Sequence, residues 1–429
     1  MPDRPITVIN FTARALNHLA AGLDREGLLS TYLRPYANQN RRWEQAIAKL
    51  PIASRAYQRT FGRRLLPADL SPSSVREAAV AADLICAALR RLPGQQAARA
   101  AENLHWQIQQ KIANTGARYG REARLTVASY LVAEPAFRNT QGIKVLNYPI
   151  AHHGFIQDFV TEETECEPGF ASTLPDWSLP PRWVEPRLDA ECALADRILV
   201  GSSFARDSFI SQGIPSEKLM VIPYGANLDR FRPAEDAAND SNAFRLLFVG
   251  QLSQRKGISY LLRAYEKFQG PGTRLTLVGS IYADDQPLKP YSGLFQHVPH
   301  IPQTELVQQY QRADVFVFPS LIEGLGLVVL EAMASGLPVI TTPNGPGDIV
   351  RDGVDGFVVP IRDPEAIVEK LEYLRANPDR RREMGINARQ RAQEFSWTAY
   401  RQRGVEALRS LMKSPSNSII SEATVSAMP

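Results

Sequence analysis

Short runs of Val, Ile, Leu and Phe alternate with helical stretches along the whole chain, and this alternation is the feature that most restricts its fold. Strands that alternate with helices form parallel sheets, and near-continuous apolar runs are typical of strands buried on both faces. The predicted strands of the first half are residues 6–11, 30–35, 125–130, 144–149, 197–202 and 219–224. Those of the second half are residues 245–250, 274–280, 315–320, 338–342 and 356–360. The sequence therefore predicts an α/β protein with two sets of parallel strands.

A chain of 429 residues is too long for one ordinary domain of roughly 100–200 residues. Residues 230–244 lack an apolar run and are rich in Pro, Asp, Asn and Ala, which is typical of a linker. We predict Rossmann-like domains over 1–229 and 245–395, a helix over 396–412 that packs back on the first domain, and a disordered tail over 413–429. Because open α/β sheets bind ligands at the carboxyl ends of their strands, we expect the site in a cleft between the domains.

Residues 161–187 are acidic at first and proline-rich later, and we expect a long irregular insertion there. Long loops without secondary structure are often lids or binding loops. The sequence leaves open whether this segment is a lid or a surface decoration.

The segment LIEGLGLVVLEA, residues 321–332, holds two glutamates eight positions apart, Glu323 and Glu331. Carboxylates are costly to bury without partners, so an apolar segment that carries two of them suggests a ligand. A strand is predicted to end at Pro319, and a helix to end at Gly336. The first N–H groups of that helix would form a site for a phosphate, and the glycines before it would let a ligand approach the backbone.

The segment GQLSQRKGISYLL, residues 250–262, places Arg255 and Lys256 between another predicted strand and a second predicted helix. Arginine can hold a phosphate through two parallel hydrogen bonds, and lysine acts as a point charge. A carboxylate only accepts hydrogen bonds and therefore suits the vicinal hydroxyls of a sugar. Taken singly, each motif is also compatible with packing or a solvated surface. Together they indicate a binding site for a nucleotide-sugar, in which each of the two glutamates would bind one of its two sugars.

The second half resembles the donor-binding domain of the retaining glycosyltransferases of family 4, which have the GT-B fold of two Rossmann-like domains facing a cleft. The resemblance extends from about Ala190 to Phe395, whereas residues 1–190 share with the family only the alternation of strands and helices. It is carried by GQLSQRKG, RLTLVGS, ADVFVFPSLIEGLGLVVLEAMASGLPVITT, GDIVRDGVDGFVVP and ADRILVGSSFARDSFISQGIPSEKLMVIPYGANLDRFRP.

This resemblance implies that Glu331 holds the ribose hydroxyls and that Glu323 contacts the transferred sugar. Arg255 and Lys256 would hold the diphosphate and stabilise it as a leaving group. Many members have arginine where this chain has Gln251, and we infer that Arg255 supplies that charge. The other predicted donor-binding residues are Gly324, Leu325, Gly326, Gly250, Gly279 and Ile301.

The resemblance further implies retention of the anomeric configuration by a front-face mechanism, in which the leaving phosphate oxygen takes the acceptor's proton. No Asp-x-Asp triplet occurs in the sequence, so we expect no metal and no cofactor, with Arg255, Lys256 and helix N-termini meeting the charge of the diphosphate. A double displacement would need a carboxylate nucleophile on the far face of the sugar, and the sequence nominates none.

On the acceptor side, residues 148–155 (YPIAHHGF) follow a predicted strand and bring His152 and His153 to the cleft edge. Family members often have a histidine on this loop near the reacting sugar. We predict a catalytic role for His153 and an acceptor contact for His152, although a structural role for the pair is equally compatible with the sequence. Asn10, after the first strand, is a further acceptor-side candidate.

Residues 38–66 contain seven basic residues and one acid, interleaved with apolar and aromatic residues. Such a segment can lie on an anionic membrane surface or meet a phosphate-bearing acceptor, and the alternative is a solvated helix pair with a basic outer face. The predicted partners are a nucleotide-sugar donor, a glycan or lipid-linked acceptor and, through 38–66, an anionic membrane. We expect no nucleic-acid partner.

The cysteines Cys86, Cys166 and Cys192 are odd in number and far apart, which argues against disulfides and a zinc site and favours a reducing compartment. The N-terminal residues are interrupted by Asn10 and Arg14 and are untypical of a signal peptide. No uncharged apolar run reaches the about 18 residues of a membrane span. We expect a cytoplasmic protein that can also bind the inner face of the plasma membrane.

Three other functions are compatible with this fold: a sugar phosphorylase, a nucleotide-sugar epimerase and a nucleotide-sugar-binding protein without activity. The phosphorylases use pyridoxal phosphate on a lysine, and the sequence offers no motif for it. The epimerases lack the two spaced glutamates together with an Arg-Lys loop. Donor binding without transfer to any acceptor would favour the binding protein.

Overall fold

The computed structural model describes residues 5–39, 41–48, 64–175, 181–234, 243–299 and 301–413. Within these residues the strands form two parallel sheets, one from each half of the chain. The first sheet consists of β1 (Ile6–Ile9), β2 (Leu29–Arg34), β3 (Val75–Glu77), β4 (Leu125–Ser129), β5 (Ile143–Asn147), β6 (Arg197–Val200) and β7 (Leu219–Val221). The second consists of β8 (Phe244–Val249), β9 (Thr273–Val278), β10 (Phe295–Val298), β11 (Val315–Phe318), β12 (Val339–Thr341) and β13 (Gly356–Val358).

Both sheets reverse their strand order at one point, which is where such sheets bind ligands. The first has the order β3-β2-β1-β4-β5-β6-β7, with the reversal between β1 and β4. The second has the order β10-β9-β8-β11-β12-β13, with the reversal between β8 and β11. The loops after β8 and β11 contain the residues predicted to bind the donor, 250–257 and 319–326, so the topology brings them together.

Helices cover both faces of each sheet. Those of the first half are α1 (Arg14–Arg25), α2 (Arg42–Ala48), α3 (Val80–Leu89), α4 (Gln95–Gly120), α5 (Glu134–Asn139), α6 (His153–Cys166), α7 (Val184–Leu194) and α8 (Ser203–Ser211). Those of the second half are α9 (Ile258–Phe268), α10 (Gln303–Arg312), α11 (Leu327–Ala334), α12 (Pro364–Ala376), α13 (Pro378–Ala392) and α14 (Trp397–Lys413). In α1, Leu16, Leu19 and Leu23 recur at helical spacing and are buried against the first sheet.

The C-terminal helix α14 packs on α1 of the first domain, as predicted. The Trp397 ring stacks on the His18 ring with 3.9 Å between their centroids. Arg409 Nη2 donates to Glu26 Oε2 over 2.9 Å, and Leu408 is fully buried. The chain thus crosses back to the first domain after completing the second.

All eleven predicted strands are present, but two strands were missed. These are β3 and β10, and each lies at the edge of its sheet. Their sequences, VRE and FQHV, place polar residues among apolar ones, because an edge strand is less enclosed than a central strand. A search for apolar runs does not detect such strands.

The expectation of an irregular insertion over 161–187 is wrong. Helix α6 continues to Cys166, a 3-10 helix spans Pro168–Thr173, and α7 begins at Val184. Residues 176–180 lie outside the described residues. The acidic composition has another cause, since several of these acids bond the second domain, as described below.

Most of the basic segment 38–66, much of the linker 230–244 and nearly all of the tail 413–429 lie outside the described residues. Two described arginines of the basic segment are paired: Arg41 with Glu77, and Arg64 with Asp83, whose carboxylate lies 2.6 Å from Arg64 Nε. Among the helices that the structure describes, none is long and apolar enough to cross a membrane.

Candidate active site

The loop between β11 and α11 runs along the boundary between the two domains. A Cβ atom on Gly324 would lie 1.9 Å from the carbonyl oxygen of Pro149, in the loop after β5, so only glycine fits. Gly326, immediately before α11, has a φ of +80°, a conformation that glycine adopts without strain. This loop therefore presents its backbone to the cleft while touching the first domain.

The structure brings together Arg255, Lys256 and Glu323, three of the four residues predicted to act in catalysis. Lys256 Nζ forms an ion pair with Glu323 Oε2, and Arg255 Nη1 lies 3.8 Å from the same oxygen. Arg255 Nη1 also donates to the carbonyl oxygen of Ile322 over 2.8 Å, and the Gly324 N–H donates to Glu323 Oε1 over 3.2 Å. One carboxylate thus pairs with both cations of the neighbouring loop, and the three groups together keep one positive charge.

Lys256 is almost completely buried, with its ammonium 5.0 Å from the centroid of the Phe318 ring. Burial, followed by the adjacent charge of Arg255, lowers its pKa well below the usual range. The ion pair with Glu323 acts in the opposite direction and favours the charged form. A second anion beside Lys256 would likewise raise the pKa of this lysine and favour its charged form.

Glu331 lies in α11, where it is buried. Its Oε2 accepts a hydrogen bond of 3.1 Å from the Tyr310 hydroxyl. Burial raises the pKa of Glu331 to about 7, against the opposing effects of Arg14, Tyr310 and Arg230. Because Arg14 begins α1 of the first domain, Glu331 lies within electrostatic range of that domain across the cleft.

The remaining predicted donor-side residues line the carboxyl ends of the strands. The Gly250 and Gly279 N–H groups donate to the carbonyl oxygens of Val278 and Val298, each over 2.9 Å. Leu325 has a buried side chain, and Ile301 packs partly buried against the core of the second domain.

The histidines after β5 are held within the first domain. His153 Nε2 lies 2.9 Å from Asp189 Oδ1, and its Nδ1 lies 3.3 Å from the Tyr148 hydroxyl, so both ring nitrogens have partners. His152 Nδ1 accepts the Gly154 N–H over 3.1 Å and thereby caps α6. Burial and the neighbouring His153 lower the pKa of His152 to about 4, so this ring is neutral at pH 7.

Ligand atoms of His152, His153 and Asp189 lie within 4.8 Å of one another, the one such grouping among the described residues that could hold a metal ion. The bond between His153 and Asp189 and the cap at α6 already use three of these groups. Binding an ion through these nitrogens would break those contacts.

Asn10 is fully buried and shapes the loop between β1 and α1. Its Oδ1 accepts the Ala13 N–H over 2.8 Å, and its Nδ2 donates to Ala13 O over 2.8 Å and to the Tyr32 hydroxyl over 2.7 Å. In this arrangement the amide bonds its own domain instead of facing an acceptor.

Sequence reasoning missed a buried carboxylate, Glu163 of α6, that joins the two domains. It accepts hydrogen bonds from Gln254 Nε2 over 2.7 Å, Tyr260 OH over 2.9 Å and Arg362 Nε over 2.7 Å. Gln254 directly precedes Arg255, so α6, which begins at His153, is coupled to the loop that carries the two cations. The spacing of Glu163 and Glu167 on one helical face was the available signal, since Glu167 also pairs across the boundary, with Arg263.

A second link across the boundary is made by Asp348 of the second domain. The N–H and Oγ–H groups of Ser203, at the start of α8, each donate to this carboxylate over 2.5 Å. A carboxylate at a helix N-terminus is favourable because it meets unpaired N–H groups. The two domains are therefore joined by at least two buried or half-buried carboxylates, Glu163 and Asp348.

Residues 230–391 match the family model of the glycosyl transferases group 1. A D-inositol 3-phosphate glycosyltransferase of Corynebacterium urealyticum is 31% identical over 245 residues, which are 51% of this chain and 58% of the relative. An alpha-maltose-1-phosphate synthase of Mycolicibacterium smegmatis is 30% identical over 53% of this chain and 65% of the relative. The chain thus spans less than two thirds of these relatives, and the matches support a group 1 glycosyltransferase domain in its second half.

Solved structures resemble the whole chain. Sucrose-phosphate synthase from Thermosynechococcus elongatus aligns with a TM-score of 0.62 and 22% identity over 96% of this chain and 100% of that one. Anabaena HepE in complex with UDP and glucose aligns with a TM-score of 0.59 and 15% identity over 94% of this chain and 99% of that one. The chain has the GT-B fold. This confirms the fold predicted from the sequence.

Proposed function

We propose that this protein is a glycosyltransferase that moves a sugar from a nucleoside-diphosphate sugar to a hydroxyl of an acceptor. The observation that carries the proposal is the cluster of Arg255, Lys256 and Glu323 at the strand-order reversal of the second sheet. Two cations and the N-terminus of α11 meet there, and this combination suits a diphosphate.

In this proposal the donor diphosphate replaces Glu323 as the partner of Lys256. The released carboxylate then accepts hydrogen bonds from the transferred sugar, beside the backbone of Gly324 and Leu325. Glu331 accepts the ribose hydroxyls, for which its buried position next to Tyr310 provides an oriented acceptor. The cations stabilise the charge that develops on the leaving diphosphate.

The finer assignments are also proposals: membership of family 4, retention of configuration and a front-face mechanism without a metal or cofactor. Arg255 and Lys256 support metal independence because they supply positive charge where a metal would otherwise be needed. A glycan or lipid-linked acceptor, as in polysaccharide synthesis, fits the basic composition of 38–66. The relatives named above, for D-inositol 3-phosphate and sucrose-phosphate, suggest small phosphorylated molecules as an alternative.

A donor screen tests the proposal. The purified chain is incubated with a panel of nucleotide-sugars, and released nucleoside diphosphate is measured with and without EDTA. We expect turnover of one donor, resistant to EDTA and lost in Lys256→Ala and Glu331→Ala. Turnover that EDTA abolishes would refute metal independence, and failure of every donor to bind would refute the assignment of this cleft.

A further inference from the structure

Arg34, the last residue of β2, carries a buried charge that no side chain or carbonyl group of the described residues binds. It is 5% exposed, and its Nε and Nη1 atoms are enclosed with no hydrogen-bond acceptor within reach among the described residues. A buried guanidinium that lacks a partner is costly, since neither water nor an anion compensates it. None of the roles described above uses this residue.

The acid nearest to Arg34 in the sheet is already bonded elsewhere. Glu77 pairs with Arg34 in the register of β2 and β3, so their side chains lie on the same face. Its Oε1 accepts the Ala37 N–H over 2.8 Å, and its Oε2 bonds Arg41. Glu77 is therefore not the counter-ion of Arg34.

Where the chain leads into α1, the Asn10 N–H donates to the carbonyl oxygen of Leu33 over 2.9 Å, so this loop lies next to Arg34. The Arg34 Cζ lies 6.0 Å from the centroid of the Tyr32 ring. Burial raises the pKa of the Tyr32 phenol, and the charge of Arg34 acts against this rise, which requires the two groups to be close. The Tyr32 hydroxyl in turn donates to Asn17 Oδ1 over 2.5 Å, in the first turns of α1.

The N-terminus of α1 also lacks a negative partner. No side chain caps it, and none of the residues in its first turn, all of them described, is acidic. Arg14, the first residue of α1, is exposed and has no acid bonded to it in the described part of the chain. This helix end lies at the strand-order reversal of the first sheet and within electrostatic range of Glu331 across the cleft.

We propose that Arg34, Arg14 and the first N–H groups of α1 form a subsite for an anionic group, a phosphate or a carboxylate, of the acceptor. This inference rests on the proposed function, because it takes the molecule in this half of the cleft to be the sugar acceptor. A guanidinium binds such groups through parallel hydrogen bonds, and a helix N-terminus adds unpaired donors. The donor diphosphate has its own cations in the second domain, Arg255 and Lys256.

Anion binding with the donor side occupied tests the subsite. Inorganic phosphate and glucose 6-phosphate are titrated calorimetrically into the full chain saturated with a nucleoside diphosphate that binds it, and into the free chain. The variants are Arg34→Gln and Arg34→Lys, with Arg403→Gln as the matched control. Arg403 also has buried nitrogens without a partner among the described residues, but it lies on α14. Thermal unfolding verifies that each variant is folded.

We expect saturable binding of at least one probe, weakened about 10- to 100-fold in Arg34→Gln, as the loss of charge-assisted hydrogen bonds implies. Arg34→Lys keeps the charge and should weaken binding less, and Arg403→Gln should leave it unchanged. The affinity for the nucleoside diphosphate should stay within about twofold in all three variants.

The subsite is overturned if neither probe binds the wild type saturably, or if wild type and Arg34→Gln bind equally well. An equal loss of nucleoside-diphosphate affinity in Arg34→Gln would also overturn it, since the anion would then be the donor's. If no nucleoside diphosphate binds the wild type, the proposed function fails, while the titration of the free chain still decides whether Arg34 binds an anion.

Discussion

The two loops that meet at the cleft differ in how their polar groups are engaged. In the loop after β11, Glu323 is bonded to Lys256, a cation that a bound diphosphate would also attract. In the loop after β5, His153 and His152 are bonded to Asp189 and to the α6 backbone, within their own domain. In the proposed function a diphosphate replaces Glu323 in the first arrangement, whereas the bonds of the second arrangement fix a helix and its loop.

This difference suggests that the reacting groups belong to the second domain and that the loop after β5 has a structural role. In the second domain Lys256 is paired with an acid at the cleft, whereas in the first domain the histidines after β5 are bonded within their own domain and Arg34 has no bonded partner among the described residues. Glu163 joins the two domains, because its bonds to Gln254 and Tyr260 connect α6 with the loop that carries the cations.

Loss of the Lys256 charge should have the largest effect. Lys256→Gln is expected to lower the turnover of the donor about 10³-fold, because one of two cations at the leaving diphosphate is lost. Lys267→Gln is the control, since Lys267 is an exposed lysine of α9 that pairs with Glu365. The measurement is release of nucleoside diphosphate, and similar rates for both variants would contradict the role of the loop.

Removal of the Glu163 charge, which joins the two domains, should have the second-largest effect. Glu163→Gln is expected to lower the free energy of unfolding by about 3 kcal/mol, because Arg362 loses a buried carboxylate. Glu162→Gln is the matched control: Glu162 bonds the same arginine from an exposed position and should contribute less than about 1 kcal/mol. Urea unfolding measures both, and equal losses would show that burial of Glu163 is unimportant.

The pKa of Glu331 predicts a dependence of stability on pH. Its value of about 7 in the folded chain exceeds the ordinary value of 4.5, so between these pH values the folded state holds a proton that the unfolded state releases. Stability therefore falls as pH rises through this window, by about 2 kcal/mol between pH 5 and 7. In Glu331→Gln this contribution should disappear.

The control for that measurement is Glu191, whose pKa burial also raises to about 7 but whose carboxylate accepts the N–H groups of Leu131 and Ala133 in its own domain. A saturating nucleoside diphosphate should change the pH dependence that Glu331 causes and leave that of Glu191 intact. The same response at both sites would place Glu331 outside the donor site.

The smallest effect is expected at His153, which the sequence predicted to be catalytic. Because both of its ring nitrogens bond the first domain, His153→Gln should lower stability by about 1 kcal/mol and leave the turnover number almost unchanged. A 100-fold loss of turnover, with stability unaffected, would restore the catalytic role and remove the contrast between the loops.

The strands of the second sheet, except the edge strand β10, and the loops that carry its candidate site residues could be located from the sequence, because local motifs mark them. Gly326, Glu331 and the Arg255–Lys256 pair each follow a buried strand, so apolar runs and turn residues locate them. In the first sheet, by contrast, the edge strand β3 has the sequence VRE, which contains no apolar run, and a search for such runs does not detect it.

The first domain was harder to predict because its contacts depend on residues far apart in the chain. Glu163 meets Arg362 across 199 positions. Arg34 has no bonded partner among the described residues, although Glu77 lies beside it in the sheet, bonded to Arg41 and Ala37. Composition made 161–187 resemble a loop, although two of its acids, Glu163 and Glu167, are buried at the domain boundary. The spacing of Glu163 and Glu167 indicates that they act together, but it does not identify their partners in the second domain.

The central claim is that a diphosphate replaces Glu323 beside Lys256, and nucleoside-diphosphate affinity tests it most directly. Calorimetric titration of wild type, Lys256→Gln and Glu323→Gln should show weaker binding in Lys256→Gln. It should show binding at least as tight as wild type in Glu323→Gln, because a competing and repelling carboxylate is gone. Glu323→Gln should nevertheless lose turnover. Equal weakening in both variants would contradict the exchange and assign Glu323 a direct part in holding the nucleotide.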